Sequence, residues 1–213
     1  LDKEKYHHGN LKEEMIKKGI ELLNNSGYED FSLRKVAKMC SVSHTAPYKH
    51  FKNKDELISA IIMEVSKSFE NSLNEIVNKY PSDPKKQLVE LGKQYVKFMI
   101  ENPDYFKFIF LSDFSKPVNI SKDNTSSYEG GAFQVFKASA INYLKSVYKN
   151  TTEEKDLSLD ILTMWSVVHG ISVLLLNNSI KYDGDYIDLV DKMLNEKIIK
   201  IYNTIKLPCN SCK

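Results

Sequence analysis

Apolar residues recur every three or four positions along almost the whole chain, with polar residues filling the places between. Leu11, Met15, Ile16, Ile20 and Leu23 form one stripe. Leu57, Ile58, Ile61, Ile62, Val65, Phe69, Leu73, Ile76 and Tyr80 form a longer one, and Leu88, Leu91, Tyr95 and Phe98 a third. This is the period of an α-helix with one buried face. The breaks are helix signals. Asn10-Leu-Lys-Glu13 and Asn53-Lys-Asp-Glu56 have capping-box form. Asp83-Pro84 and Asn102-Pro103 put proline at a first helical position, and Ser26-Gly27 is a stop. Ser32 and Ser43 are placed to cap two short helices, 33–40 and 43 to about 50, joined by a tight turn. Residues 115–131 are polar and end in glycine, which predicts a loop. Phe133, Phe136, Ala140, Tyr143 and Val147 restore the helical period. Thr151-Thr-Glu-Glu154 opens a helix running through Trp165 and His169 to Asn177, and a last stripe follows "KYDGD".

No strand alternation occurs, and eight glycines and six prolines are too few for a turn-rich β-fold. The predicted fold is therefore all-α with about nine helices. Residues 1–53 make a small N-terminal domain of three helices. Residues 54–80 make a connecting helix of roughly 40 Å. Residues 81–213 make a larger helical domain. Residues 161–180 carry no formal charge, yet they include Ser166, His169, Ser172 and Asn177, which favours a buried helix over a membrane span. Three cysteines, Cys40, Cys209 and Cys212, form no disulfide framework and suit a reducing, cytoplasmic setting. Cys209 and Cys212 have the spacing of half a zinc site or of a redox pair, with no second pair, so no metal is expected.

Charge sharpens the picture. The net charge is only +2. Residues 32–54, however, hold Arg34, Lys35, Lys38, Lys49, Lys52 and Lys54 with no Asp or Glu, and His44 and His50 besides. Such a patch is either a solvated basic face or a surface that meets phosphates. It coincides with the two short helices, an arrangement that reads as a helix-turn-helix. Val36, Ala37 and Cys40 face inward, and the start of the second helix enters the major groove. Pro47 would remove only the first hydrogen bond of a helix capped by Ser43, or else the helix starts one turn later. Ala46-Pro47 would offer a small apolar surface to a thymine methyl.

The stretch "SLRKVAKMCSVSHTAPYKHFKNKDEL" resembles the DNA-binding domain of TetR-type transcriptional regulators. The likeness lies in the hydroxyl cap Ser32, "VAK", Val42-Ser43, Tyr48–Phe51 and Asn53–Leu57, and continues upstream through "YHHGNLKEEMIKKGIELLNNSGYEDF". Ser41 departs from it, since the family usually has glycine in that turn. The resemblance implies that Ser43, His44 and Thr45, with Ala46 and Pro47, read bases. It also implies that Tyr48, His50 and Lys54 hold phosphates, with Arg34 and Lys49 nearby. Tyr48 has a second reading as a packing aromatic. His7 and His8 would reach the DNA backbone or minor groove, or belong to a loose tail.

Farther on, Trp165-Ser-Val-Val-His169-Gly170 resembles a "W…HG" stretch in the C-terminal domain of one TetR subgroup. That implies a sensor for an unidentified small-molecule effector and a homodimer made by the last two helices. Tyr95, Phe98, Phe106, Phe110, Trp165 and His169 are the candidate cavity residues, or else ordinary core aromatics. Ile187, Val190, Leu194, Ile198 and Ile201 have near-heptad spacing, which suits either an interface between subunits or an internal stripe. The leading expectation is a ligand-responsive repressor binding a double-stranded operator, with no catalytic set and no cofactor. An enzyme using His169 as base and a membrane-surface sensor using the basic patch are the competing readings.

Overall fold

The computed structural model describes residues 11–106, 110, 131–148 and 157–204. All regular structure among them is helical. In chain order the elements are α1 (Leu11–Ser26), α2 (Leu33–Met39), a 3₁₀ turn (Ala46–Lys49), α3 (Lys54–Lys79), α4 (Pro84–Glu101) and the single turn α5 (Pro103–Phe106). Then come α6 (Ala132–Val147), α7 (Ser158–Leu176), α8 (Tyr186–Met193), a π-helical stretch (Leu194–Ile199) and α9 (Lys200–Thr204). The last three run on as one helix. Counted that way, the described residues hold seven helices longer than one turn rather than about nine. His7, His8, the Asn10 cap, residues 115–130 of the predicted loop, the Thr151–Glu154 start, Cys209 and Cys212 lie outside the described residues.

Three of the predicted caps form. Ser32 Oγ accepts from the Lys35 N–H at 3.2 Å, Asn53 Oδ1 from Glu56 at 2.9 Å and Asp83 Oδ1 from Lys86 at 2.9 Å. Glu56 returns the contact to the Lys52 N–H. Each satisfies a donor that the first helical turn leaves open. Gly27, at φ 71°, ends α1 as its sequence predicts.

The chain divides into two compact units, 1–66 with 104–115, and 67–103 with 116–213. The boundary falls inside α3, so the expected connecting helix gives its first half to the first unit and its second half to the other. In the first unit α1, α2 and the start of α3 bury Met15, Leu23, Val36, Cys40, Phe51, Leu57 and Ile61. Burial pushes the Cys40 thiol up to about 11, which suits a packing residue and not a reactive one.

The turn after α2 is a Schellman cap. The Ser41 N–H reaches Lys38 O at 3.1 Å and the Val42 N–H reaches Ala37 O at 3.0 Å. Ser41 pays for this with a left-handed backbone, φ 55°. Ser41→Gly is therefore expected to raise stability by about 0.5–1 kcal/mol, read from a denaturant titration, with no change in DNA affinity.

In the second unit α4 is central, packing against α6, α7 and α8. Gly92 is the point of closest approach. A Cβ there would lie 2.6 Å from Leu194 Cδ1 and 3.2 Å from Val168 Cγ1. Gln87 closes the α3–α4 corner, its side-chain amide donating to Val77 O at 3.2 Å and Tyr80 O at 3.1 Å.

This packing corrects the expected subunit seam. Val190, Leu194 and Ile198 are buried in the chain's own core. They repeat at heptad spacing because α8 and the π-stretch lie along α4. Ile187 is half-buried, and only Ile201 stands out, 56% exposed.

Candidate nucleic-acid interface and sensor core

After α2 the chain does not form the α-helix that a Ser43 cap would start. Ser43 Oγ instead pairs with Thr45 Oγ1 at 3.1 Å. Tighter bonds follow, with Ala46 N–H to Ser43 O at 3.0 Å and Tyr48 N–H to Thr45 O at 3.3 Å. Pro47 has no N–H, and a 3₁₀ turn with Pro47 in its first positions leaves no bond missing. The helical turn thus starts later than Ser43. Pro47 is also buried, so its expected contact with a thymine methyl is closed to it.

The turn projects an acid-free edge. Arg34, Ser43, His44, Thr45, Tyr48, Lys49 and Lys52 are exposed, and His50 is half-buried. Tyr48 is 55% exposed, which removes its reading as a packing aromatic. An aromatic hydroxyl held in water beside Lys49 is suited to a phosphate oxygen. Lys35 pairs at 3.4 Å with Asp30, but both are exposed and the pair is worth little.

Lys54 is placed differently from its neighbours. Its ammonium donates to Tyr28 O at 2.7 Å and lies 3.8 Å from the Tyr28 ring centroid. It pins the segment after α1 to the start of α3 by a cation–π contact and a charge-assisted hydrogen bond. Nothing local in the sequence signals a contact between residues 26 positions apart.

The aromatic candidates divide between the units. Phe106 and Phe110 pair at 5.2 Å in the first. Tyr95, Phe98, Trp165 and His169 belong to the second. There the Trp165 ring takes three edge-on neighbours, Tyr95 at 4.9 Å, Phe133 at 5.0 Å and Phe136 at 5.2 Å. Phe69 bridges Tyr95 at 5.2 Å and Phe98 at 4.8 Å. The Tyr95 hydroxyl and His169 Nδ1 are hydrogen-bonded at 2.9 Å. Burial pushes the Tyr95 hydroxyl far up and His169 down, so both are neutral at pH 7. Phe69, Phe133 and Phe136 complete this cluster. The helical stripes contain them, but spacing within one helix does not reveal which stripes meet.

A separate hollow is lined by Leu88, Val89, Gly92, Phe136, Met164 and Val168, with the last helix closing it through Leu194 and Ile198. Its cavity volume is only about 10 Å³, room for roughly one water. The sequence reading did not place it. A second polar point also escaped that reading. Asp160 accepts from Tyr202 Oη at 3.1 Å and from Tyr148 Oη at 3.3 Å, tying α7 to α9 and to the end of α6. Among the described residues no group of three or more His, Cys, Asp or Glu is arranged to hold a metal.

The sequence model of bacterial regulatory proteins of the tetR family matches residues 15–61, and that of tetracyclin repressor-like C-terminal domains matches 88–196. No curated protein matches the chain. Among solved structures, a protein of unknown function from Rhodococcus sp. RHA1 is 21% identical with a TM-score of 0.67, covering 93% of this chain and 98% of that one. A TetR family transcription regulator from Marinobacter aquaeolei VT8 is 16% identical with a TM-score of 0.56, covering 86% and 93%. A TetR/AcrR family regulator from Thermobifida fusca YX-ER1 is 15% identical with a TM-score of 0.56, covering 89% and 98%. At these identities the structures speak to the fold. The two sequence matches together take in the acid-free edge and the α4–α8 core, and by them the chain belongs to the TetR family of DNA-binding transcriptional regulators.

Proposed function

We propose that the protein is a cytoplasmic repressor that binds a two-fold symmetric operator as a homodimer and releases it when a small molecule enters the second unit. The observation that carries this reading is the exposed, acid-free edge of residues 43–52, set on a buried helical base. Ser43, His44 and Thr45 would face bases, while Tyr48, Lys49 and Arg34 would meet phosphates. Lys54 would hold Tyr28 first and reach phosphate only from that position. The W…HG subgroup fits the Trp165 and His169 pairings, since Tyr95 touches both. An effector parting these rings would shift α4 against α7, a change able to favour one spacing of two DNA-reading edges over another.

The dimer surface is reassigned with the seam. On α7, Leu159 is 72% exposed, Leu162 41% and Leu174 42%. A Cβ on Gly170 would meet nothing within 4 Å, so the chain's own packing does not require glycine there. Ser166 and Gly170 stand one turn apart on this face, where a partner helix could approach closely. Gly170→Glu, open to solvent in a single chain, is expected to leave the fold intact and give monomer in analytical ultracentrifugation. It should also lose the paired footprint of two half-sites. A dimeric Gly170→Glu protein with wild-type footprints would refute this surface.

A further inference from the structure

Thr45 occupies the cap position of the 3₁₀ turn, yet its side chain makes no capping hydrogen bond. Its hydroxyl is used on Ser43 instead, at 3.1 Å from Ser43 Oγ. Both residues are exposed, so burial does not force the two hydroxyls together. The backbone beneath them is held on both sides. Upstream, the Ser41 and Val42 N–H groups close the end of α2 on Lys38 O and Ala37 O. Downstream, the Ala46 N–H bonds Ser43 O, the Tyr48 N–H bonds Thr45 O, and Pro47 is buried. Threonine is β-branched and stiff at its first side-chain torsion. A hydroxyl held by Ser43 selects one staggered position, and the methyl group on the same carbon is fixed with it.

The pair has a definite hydrogen count. Two hydroxyls carry two hydrogens, and one of them lies between the oxygens. Whichever oxygen donates, one hydrogen remains to be given outward, with lone pairs beside it to accept. Base edges in the major groove are read by such donors and acceptors, and a threonine methyl adds apolar contact with thymine.

We infer that Ser43 is a positioning residue for base recognition, which holds the Thr45 hydroxyl so that the two read one base pair as a unit. This rests on the reading of residues 43–45 as base-facing and deepens it, because Ser43 then acts through Thr45. In the free protein an exposed hydroxyl pair contributes little, since water competes for both groups. On the duplex it matters more, because a side chain ordered beforehand loses less freedom on binding.

The test uses the full chain in anisotropy titrations on operator, on operators with each base pair changed in turn, and on scrambled duplex. Thr45→Val keeps the shape and loses the hydroxyl, Ser43→Ala removes its partner, and Ser43→Thr keeps one. Thr45→Val and Ser43→Ala are each expected to lower the preference for operator over scrambled DNA by about tenfold. The loss should fall on the same base pair of each half-site, with scrambled-duplex affinity and melting temperature unchanged. The double variant should do no worse than Thr45→Val alone, and Ser43→Thr should keep most of the preference. Losses that multiply in the double variant, or that fall on different base pairs, would overturn the inference by making Ser43 an independent reader. Equal weakening of operator and scrambled DNA by Ser43→Ala would overturn it as the mark of a phosphate contact. A Thr45→Val protein that discriminates bases as wild type does would remove the base-facing reading of Thr45, and the inference with it.

Discussion

Leu194→Asp is expected to unfold the second unit or lower its melting temperature by roughly 10–20 °C, and not to yield a stable monomer. Leu194 is 6% exposed, and its Cδ1 fills the space that Gly92 leaves on α4. Truncating a leucine in such a site costs about 2–5 kcal/mol. A carboxylate placed there adds the penalty of a buried, unpaired charge. The sum of roughly 5 kcal/mol or more consumes much of the stability of a typical domain. Ile201→Asp is the control, because Ile201 is 56% exposed. In a single chain it should cost no more than about 0.5 kcal/mol. Thermal melts followed by circular dichroism would compare the two. A well-folded Leu194→Asp monomer with a wild-type melting temperature would return Leu194 to the subunit interface.

Leu194 also marks the limit of what the sequence makes legible. Its heptad spacing is visible, but the same period serves a partner helix in another chain and a partner helix in the same chain. Only the position of Gly92 opposite Leu194, about a hundred residues away, decides between them. Local signals fared better. Caps such as Asn53 and Asp83 act within four residues, and each formed as expected. Ser41 was legible as a strained turn residue because its departure from glycine occurs in a fixed motif. Pro47 was legible as an anomaly but not in its solution, since the missing N–H is compatible with a late start or a lost bond. The turn chose the late start, in 3₁₀ form. The exposed basic edge was legible from composition alone, because acids excluded over 23 consecutive residues leave a mark that no fold needs to reveal. Tyr28 under Lys54 and Phe133 beside Trp165 were not legible, being contacts across the chain.

Reversing Lys49 and Lys52 together to Glu is expected to abolish measurable duplex binding while leaving the fold unchanged. Both side chains are exposed and neither takes part in an ion pair among the described residues. Their loss therefore carries little stability cost. On DNA the change replaces two attractive charges per subunit by two repulsive ones. A dimer would lose at least four phosphate contacts and with them the release of their counterions, a weakening on the order of a thousandfold at moderate salt. Thr45→Ala should act differently. It should relax discrimination at one base pair per half-site by about 1–3 kcal/mol and leave binding to scrambled duplex unchanged. Fluorescence anisotropy on operator and scrambled DNA distinguishes the two variants. Equal losses on both DNAs for Thr45→Ala would show that the residue does not face bases.

On the proposed reading, residues 32–54 form a phosphate-meeting edge that recognises duplex DNA. Its most direct test is the affinity of the wild-type protein for operator duplex, isolated by footprinting the DNA beside its own gene, as a function of salt. A dimer with about three phosphate contacts per subunit should give a log–log slope of about −5, falling steeply between roughly 50 and 200 mM. A slope near zero, or binding no stronger than to a neutral polymer, would contradict the account.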